Sequence, residues 1–193
     1  MAEDTGGSRF GRSAAIRYAT RADASELSEL GARTFLATYS ETNAPHLVDA
    51  YIADHYSTAM QLAELEDDRL IYLIAEIDTR IVGFALLRTD QTHPDVDAAH
   101  PIRLARIYVD ASHLGSGIGS ALMERCIGEC RTRGHDVLWL GVWEENRTAI
   151  AFYERWGFGR VGSETFDVGG DKQQDAILTL PIPVRHDVDS ASR

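Results

Sequence analysis

Two short segments of the chain have residue types and spacings that are typical of ligand-binding or catalytic sites. In the first, Gly115, Gly117 and Gly119 follow a predicted strand and lead directly into a predicted helix. Glycines let a backbone approach a ligand closely, and the free N–H groups at a helix start lie at the positive end of the helix dipole. This arrangement is typical of a phosphate or pyrophosphate site. The alternative is a tight turn that only packs the helix against its strand.

The spacing of these glycines excludes two common phosphate motifs. A nicotinamide-binding fingerprint needs a glycine or alanine at its sixth position and lies in the first βα unit, whereas this segment has Ser120 there and lies in mid-chain. A P-loop needs Gly-Lys followed by Ser or Thr, and the segment contains no lysine. The expected phosphate ligand is therefore neither a dinucleotide nor a P-loop nucleotide.

The second segment, residues 138–158, lies one strand further along the chain. Asn146 is a candidate N-cap, and Ala149, Ile150 and Tyr153 follow it at helical spacing, so the four residues share one face of a helix. The polar ends of that face, Asn146 and Tyr153, are suited to line a cleft beside the glycines. A capping asparagine and a half-buried tyrosine without further function are the alternative.

The composition excludes several classes of protein. Hydrophobic residues make up 44% and charged residues 25%, which is typical of a globular domain. The formal charge of −11 opposes binding to a phosphate backbone, so no nucleic-acid partner is expected. No apolar run approaches the ~20 residues of a membrane span, and the first residues lack the apolar segment of a secretory signal, so we expect a cytoplasmic protein without a membrane partner.

The two cysteines, Cys126 and Cys130, do not indicate a metal site. They lie one helical turn apart and are expected to be small core residues in a reducing compartment. A metal site would need further Cys or His ligands near them, and the sequence supplies no such cluster. No metal is therefore expected.

The elements that position the two segments follow from hydrophobic periodicity. Local signals refine their ends: Asn43 ahead of Pro45 marks a helix start, Thr58 with Gln61 forms a capping-box pattern, and residues 78–80 form a hairpin turn. Strands are predicted at 14–18, 70–77, 81–87, 102–109, 137–142, 160–168 and 175–180, and helices at 23–38, 44–57, from 58, 117–133 and 147–156.

Helices alternate with strands only in the second half of the chain. This order predicts a mixed α/β fold with both antiparallel and crossover connections. One domain is expected at 14–183, with a turn at Gly169-Gly170 and flexible tails at 1–13 and 184–193.

In combination, the two segments resemble the GCN5-related N-acetyltransferases. The resemblance rests on RIYV…GSGIGSAL followed by LGVWEENRTAIAFYERWGF and covers roughly 15–181. The segments ARTFLATY, APHLVDAYIADHYS and GSETFDVGGDKQQDAILTL further resemble bacterial spermine/spermidine acetyltransferases of the PaiA type. The family resemblance implies a largely antiparallel, twisted sheet flanked by helices, in which two central parallel strands splay apart.

The resemblance also implies where acetyl-coenzyme A binds. The cosubstrate would enter between the strands at 104–109 and 137–142, where its pantetheine arm pairs with the backbone of Ile107 and Val109. The Val109 N–H would face the thioester carbonyl. Asn146 matches a contact to the cofactor arm, and Tyr153 matches the general acid to the departing thiolate. The residues implied for the arm and the pyrophosphate are Ile107, Tyr108, Val109, Leu114, Gly115, Ser116, Gly117, Ile118, Gly119 and Ser120.

The implied activity is transfer of an acetyl group from acetyl-coenzyme A to the primary amine of a small molecule. A polyamine such as spermidine or spermine is the leading acceptor, with protein N-termini and an antibiotic amine as alternatives. The alternative to an enzyme is a non-catalytic regulatory module that binds acyl-coenzyme A. Tyr39, Trp143 and Glu144 are candidate acceptor-binding residues. A homodimer is a candidate assembly.

Two positions depart from the family pattern. Leu114 stands where Gln or Arg usually opens the glycine motif, so one side-chain contact to the pyrophosphate is lost. The segment 103–105 lacks the glutamate that draws the amine proton in many members, so Glu144, Asp110 and a water chain stay open as the base. The acidic run at 64–68 and the loop histidines His93, His100 and His113 are expected to be solvated.

Overall fold

The computed structural model describes residues 14–40, 44–168 and 171–183 of the chain. Its elements follow the predicted order: β1 (Ala15–Tyr18), α1 (Ala24–Tyr39), α2 (Pro45–His55), α3 (Thr58–Leu65), β2 (Leu70–Ile77), β3 (Arg80–Arg88), β4 (Pro101–Val109), α4 (Ile118–Arg133), β5 (Val137–Trp143), α5 (Arg147–Arg155), β6 (Gly159–Val168) and β7 (Asp171–Pro181). The predicted tails, Asn43 and the turn at Gly169-Gly170 lie outside the described residues. The domain bounds of 14–183 therefore stay a prediction.

The strands form a sheet in the order β1-β2-β3-β4-β5-β7-β6. The pairing of β4 with β5 is parallel, and the other described pairs are antiparallel. Parallel neighbours need a crossover, and α4 supplies it between β4 and β5. The mixed, largely antiparallel fold class predicted above is confirmed.

Helices cover both faces of the sheet. Successive side chains of a strand point to opposite faces, so in β2 Leu73 belongs to the core under α4 while Ile74 belongs to the core under α1. Cys126 and Cys130 are buried in the α4 core, where burial raises the pKa of the Cys130 thiol to about 12. Their predicted role as core residues is confirmed.

The sheet opens at its centre because β4 and β5 pair over only their first residues. Their register runs from Pro101 opposite Val137 to Arg103 opposite Trp139, and the strands separate beyond that point. Only the family resemblance predicted this splay. The unpaired halves of β4 and β5 border a gap in the sheet.

A β-bulge in β4 changes which face of the sheet its side chains reach. In the pairing with β3, Arg106 lies opposite Leu86 and Leu104 opposite Leu87, so Ala105 is the extra residue. Leu104 lies in the α4 core. On the opposite face, Arg106 contacts Glu64, and Tyr108 packs against residues of α1 and α2.

Two local predictions on α3 were wrong. The N-cap is Ser57, whose hydroxyl accepts a hydrogen bond from the Met60 amide at 3.2 Å, and Thr58 is the first helical residue. Glu64 is buried rather than solvated, because its Oε2 accepts hydrogen bonds from the Tyr72 hydroxyl at 2.5 Å and from Arg106 Nη1 at 2.8 Å. The rest of the acidic run, from Glu66 onward, lies at the predicted helix end.

Within the described ranges, no helix combines the length and apolar character needed to cross a bilayer. The same residues contain no group of three or more His, Cys, Asp and Glu side chains placed to hold a metal ion.

Candidate functional site

Two cavities meet at the gap between β4 and β5. We name the first, of about 290 Å³ on the α1–α2 side, the aromatic cavity, because Phe35, Tyr39 and Trp143 help to line it. The second, of about 450 Å³, we name the glycine cavity, because the segment 114–120 lines much of it. The residues common to both linings are Ile107, Val109, Leu114, Ala149 and Tyr153. The gap therefore joins the two cavities through the sheet.

The glycine cavity is built on backbone that requires glycine at two positions. Gly115 and Gly117 have φ values of +77° and +88°, and a Cβ at either position would meet no atom within 4 Å. Gly117 is the N-cap of α4, so the amides of the first helical turn face open space. Those amides and the helix dipole favour an anion there.

The other predicted members of the segment lie in or beside this cavity. Ile118, Gly119 and Ser120 line it, whereas Ser116 is absent from the lining and its hydroxyl donates to the His113 carbonyl. Gly119 is helical, and a Cβ there would lie 3.7 Å from the Phe152 ring, an ordinary contact. Gly115 and Gly117 therefore have the positive φ that favours glycine, whereas Gly119 does not, and the close approach of Gly119 to a ligand stays a prediction.

The edge of β4 offers backbone amides to the gap. The Asp110 amide donates to the Val82 carbonyl of β3 at 2.8 Å. Because successive amides of a strand point to opposite edges, those of Val109 and Ile107 point toward the gap instead. The β5 pairing ends at Trp139, so no β5 strand covers these two amides.

Tyr153 lies where the two cavities join. It is 8% exposed and packs among Phe152, Phe158 and the α4 core. Burial raises the pKa of its phenol above the ordinary value, with Tyr108 and Cys126 adding to the shift, so the hydroxyl stays protonated at neutral pH. A buried, protonated phenol at a gap is suited to donate a proton.

Asn146 holds the start of α5 in place. Its side-chain oxygen accepts a hydrogen bond from the Ala149 amide at 3.1 Å, which confirms the predicted N-cap. Asn146 lines the aromatic cavity rather than the glycine cavity. The face of α5 that begins at Asn146 and ends at Tyr153 therefore forms one wall of the gap.

The aromatic cavity collects rings from α1, α2 and the sheet. The Tyr39 and Trp143 rings lie 5.9 Å apart between centroids, and Phe35 stacks on Tyr51 at 4.4 Å. The side chain of Tyr108 also lies on this side, where its hydroxyl accepts a hydrogen bond from the Tyr56 hydroxyl at 3.3 Å. The Tyr108 side chain therefore lines the aromatic cavity and not the glycine cavity.

Asp175 is the acidic residue of the aromatic cavity, and sequence reasoning missed it. The residue lies on β7 opposite Trp143 of β5 and opposite Glu164 of β6. Burial raises the pKa of the carboxyl from 3.8 to about 6, and the nearby charge of Glu164 adds to the shift. Its only signal in the sequence was an acidic residue at the start of a predicted strand.

The two predicted base candidates lie elsewhere. Asp110 accepts hydrogen bonds from Ser112 and Arg33, and these bonds hold the pKa of its carboxyl at about 2. Glu144 forms an ion pair with Arg160 and is absent from the lining of the aromatic cavity. Its charge still acts on Asp175 of the aromatic cavity, and its predicted role in acceptor binding stays a prediction.

Two arginines also line the aromatic cavity. Arg106 is neutralised by Glu64, whereas Arg103 donates from Nη1 to the Gln91 side chain at 2.7 Å and lies 5.0 Å from the centre of the Trp139 ring. The predicted solvation of His93 was wrong: its ring lies 5.7 Å from that of Trp139, and its side chain is 11% exposed.

Comparison with known proteins identifies the family. The acetyltransferase (GNAT) family matches residues 29–158. An uncharacterized N-acetyltransferase of Mycobacterium tuberculosis (strain H37Rv) is 31% identical over 161 residues, which cover 83% of this chain and 98% of that protein. A [ribosomal protein bS18]-alanine N-acetyltransferase of Salmonella typhimurium is 32% identical over 119 residues, which cover 61% and 75% of the two chains.

The fold has close counterparts among solved structures. The crystal structure of a PaiA N-acetyltransferase from Thermoplasma acidophilum in complex with coenzyme A superimposes with a TM-score of 0.72 and 22% identity, covering 88% of this chain and 99% of that one.

The described residues fit the cosubstrate of that family. A helix start with free amides, an open strand edge and a buried phenol follow one another along the gap, an arrangement that fits a long phosphate-bearing thioester. The matched range runs from α1 to beyond α5 and includes both segments singled out by the sequence. The chain belongs to the acetyltransferase (GNAT) family, and its activity is acetyl-coenzyme A-dependent N-acetyl transfer.

Proposed function

We propose that the chain acetylates the primary amine of a small molecule that enters the aromatic cavity while acetyl-coenzyme A occupies the glycine cavity. The observation that carries this proposal is the junction of the two cavities at Tyr153 and the open edge of β4. An acceptor on one side of the sheet would thereby reach a thioester delivered from the other side.

The glycine cavity and the β4 edge are suited to hold the cosubstrate. The turn at Gly115 and Gly117 and the first amides of α4 would bind the pyrophosphate, and the open backbone of Ile107 and Val109 would pair with the pantetheine arm. Acetyl-coenzyme A supplies the acetyl group as an activated thioester. The Val109 N–H would donate to the thioester carbonyl oxygen as negative charge develops on it.

Asp175 and Tyr153 are the proposed base and acid. A free amine has an ordinary pKa of ~10.4, so Asp175 would take one proton from the ammonium group and pass it to solvent. The amine nitrogen then bonds to the acetyl carbon while the carbon–sulfur bond breaks. Tyr153 would protonate the departing sulfur and regain its proton from the nitrogen, which leaves an amide, free coenzyme A and one released proton.

Arg155 is proposed to contact the pyrophosphate in place of the Gln or Arg side chain that the family usually has at the position of Leu114. Its side chain lines the glycine cavity from the end of α5 and is near the Phe152 ring. We expect Arg155→Gln to raise the Kd for acetyl-coenzyme A by about tenfold, because an exposed charge pair with phosphate contributes on the order of 1 kcal/mol. Calorimetric titration at low and high salt checks this, and an unchanged Kd at low salt contradicts it.

Gly117→Val is expected to abolish acetyl-coenzyme A binding. A β-branched side chain resists the φ of +88° and would project into the open space beside the α4 amides. Gly134→Val is the matched control, because Gly134 has a φ of +76° at the other end of the same helix and lines neither cavity. Equal affinity of a folded Gly117→Val variant and the parent would contradict the assignment.

The function is tested by measuring thiol release from acetyl-coenzyme A with a panel of amines. The panel contains polyamines, aminoglycosides, amino acids and peptides, because one relative is named for an alanine of ribosomal protein bS18 and one structural neighbour is a PaiA enzyme. Release above the rate of hydrolysis supports the proposal. Tight cofactor binding without release for every amine would favour the binding-module alternative. The cytoplasmic location and the homodimer stay predictions.

A further inference from the structure

Arg103 is a partly buried cation that forms no ion pair with a carboxylate of the described residues, although the charges of Glu164 and Asp175 act on it at longer range. No carboxylate of the described chain lies within 4.0 Å of its guanidinium, although the neighbouring Arg106 pairs with Glu64 at 2.8 Å. Its Nε is buried without a hydrogen-bond partner. Among the described side chains, the guanidinium donates one hydrogen bond, from Nη1 to Gln91. Burial of a charge is costly unless an opposite charge or hydrogen bonds compensate for it.

Arg103 also lines the aromatic cavity together with Asp175, so one small cavity presents charges of both signs. A guanidinium is suited to bind a carboxylate through two parallel hydrogen bonds. A diamine would instead bring a second ammonium group close to Arg103, where the two like charges repel each other.

We propose that the acceptor is a primary amine that also carries a carboxylate, with the amine at Asp175 and the carboxylate at Arg103. This inference rests on the proposed function and narrows its acceptor class. It disfavours the polyamine acceptor that the sequence suggested.

The sheet register sets the separation of the two groups. Arg103 is level with Trp139 on β5, and Asp175 is level with Trp143 on the same strand. These positions are about 13 Å apart along the strand at ~3.3 Å per residue. The Asp175 side chain shortens this separation, because its Oδ2 lies 3.5 Å from the position that a Cβ at Gly141 would take. The amine and the carboxylate of the acceptor are therefore separated by several bonds, as in an ω-amino acid or a short peptide.

The test uses the full chain and ω-amino acids of increasing length, from glycine to aminohexanoate. Each is compared with its carboxamide and with the diamine of matched length, and kcat/KM is measured by thiol release. We expect the longer amino acids to exceed their carboxamides and diamines by about 10- to 100-fold, because a desolvated charge pair distinguishes them. Arg103→Gln is expected to reduce that ratio to near unity.

Arg88→Gln is the matched control, because Arg88 lies opposite Arg103 on β3 but its guanidinium pairs with Asp90 at 3.0 Å. It is expected to keep the preference for the amino acids. Equal or faster turnover of the diamines or carboxamides by the parent chain overturns the acceptor class and leaves the proposed function standing. Absence of turnover with every amine overturns both. A preference that persists in Arg103→Gln overturns the role of Arg103.

Discussion

Tyr153→Phe is expected to lower turnover by about 10²–10⁴-fold, the usual range for loss of a positioned general acid. The substitution keeps the ring and its packing against Phe152 and Phe158 but removes the proton donor at the junction of the cavities. The loss equals roughly 3–5 kcal/mol of transition-state stabilisation. It should lower kcat and kcat/KM alike, because the proton moves only as the sulfur gains charge.

Acetyl-coenzyme A affinity should change little in Tyr153→Phe, since the proposed contacts to the arm are backbone groups of β4. Tyr18→Phe provides the matched control: it removes a tyrosine hydroxyl that donates to Glu129, and Tyr18 lines neither cavity of the gap. Steady-state rates and calorimetric Kd values check both variants. Turnover of Tyr153→Phe within about threefold of the parent, under 1 kcal/mol, would remove the acid assignment.

Asp175→Asn is expected to lower kcat/KM by about 10²–10³-fold, because the amide cannot accept the ammonium proton. The parent should show an acidic limb near pH 6 in its pH profile, where the pKa of the Asp175 carboxyl lies. The variant should lack this limb. Glu164→Gln should shift the limb to lower pH, because the Glu164 charge contributes to raising that pKa. A parent limb that persists in Asp175→Asn would contradict the base assignment.

The stability of Asp175→Asn separates lost chemistry from lost folding. The folded pKa of Asp175 is raised from 3.8 to about 6, so folding favours the protonated carboxyl. Its contribution to stability is full below pH ~3.8 and is lost as the pH rises through about 6. At pH 7 and above, the neutral amide should therefore raise Tm relative to the parent while activity falls. A lower Tm at that pH would indicate that the carboxylate is held by unrecognised partners.

Local chemistry made much of the fold and of the cosubstrate side predictable. Gly117 and Gly134 bound α4 because each adopts a left-handed conformation that only glycine takes readily, and Asn146 caps α5 through a hydrogen bond to a residue three positions away. Such signals lie within a few residues of one another. Together with hydrophobic periodicity, they determined the order of the elements and the position of the glycine segment before the fold was known.

The acceptor side depended on contacts between distant parts of the chain. Asp175 became a candidate base because strand register places it opposite Trp143 and beside Glu164, and no local pattern specifies that register. Glu64 is buried because Tyr72 and Arg106 bind it from two strands. The sequence thus determined which elements form and where the proposed cosubstrate site lies. The tertiary structure alone decided which charges face the acceptor, because cross-strand pairing and burial are non-local.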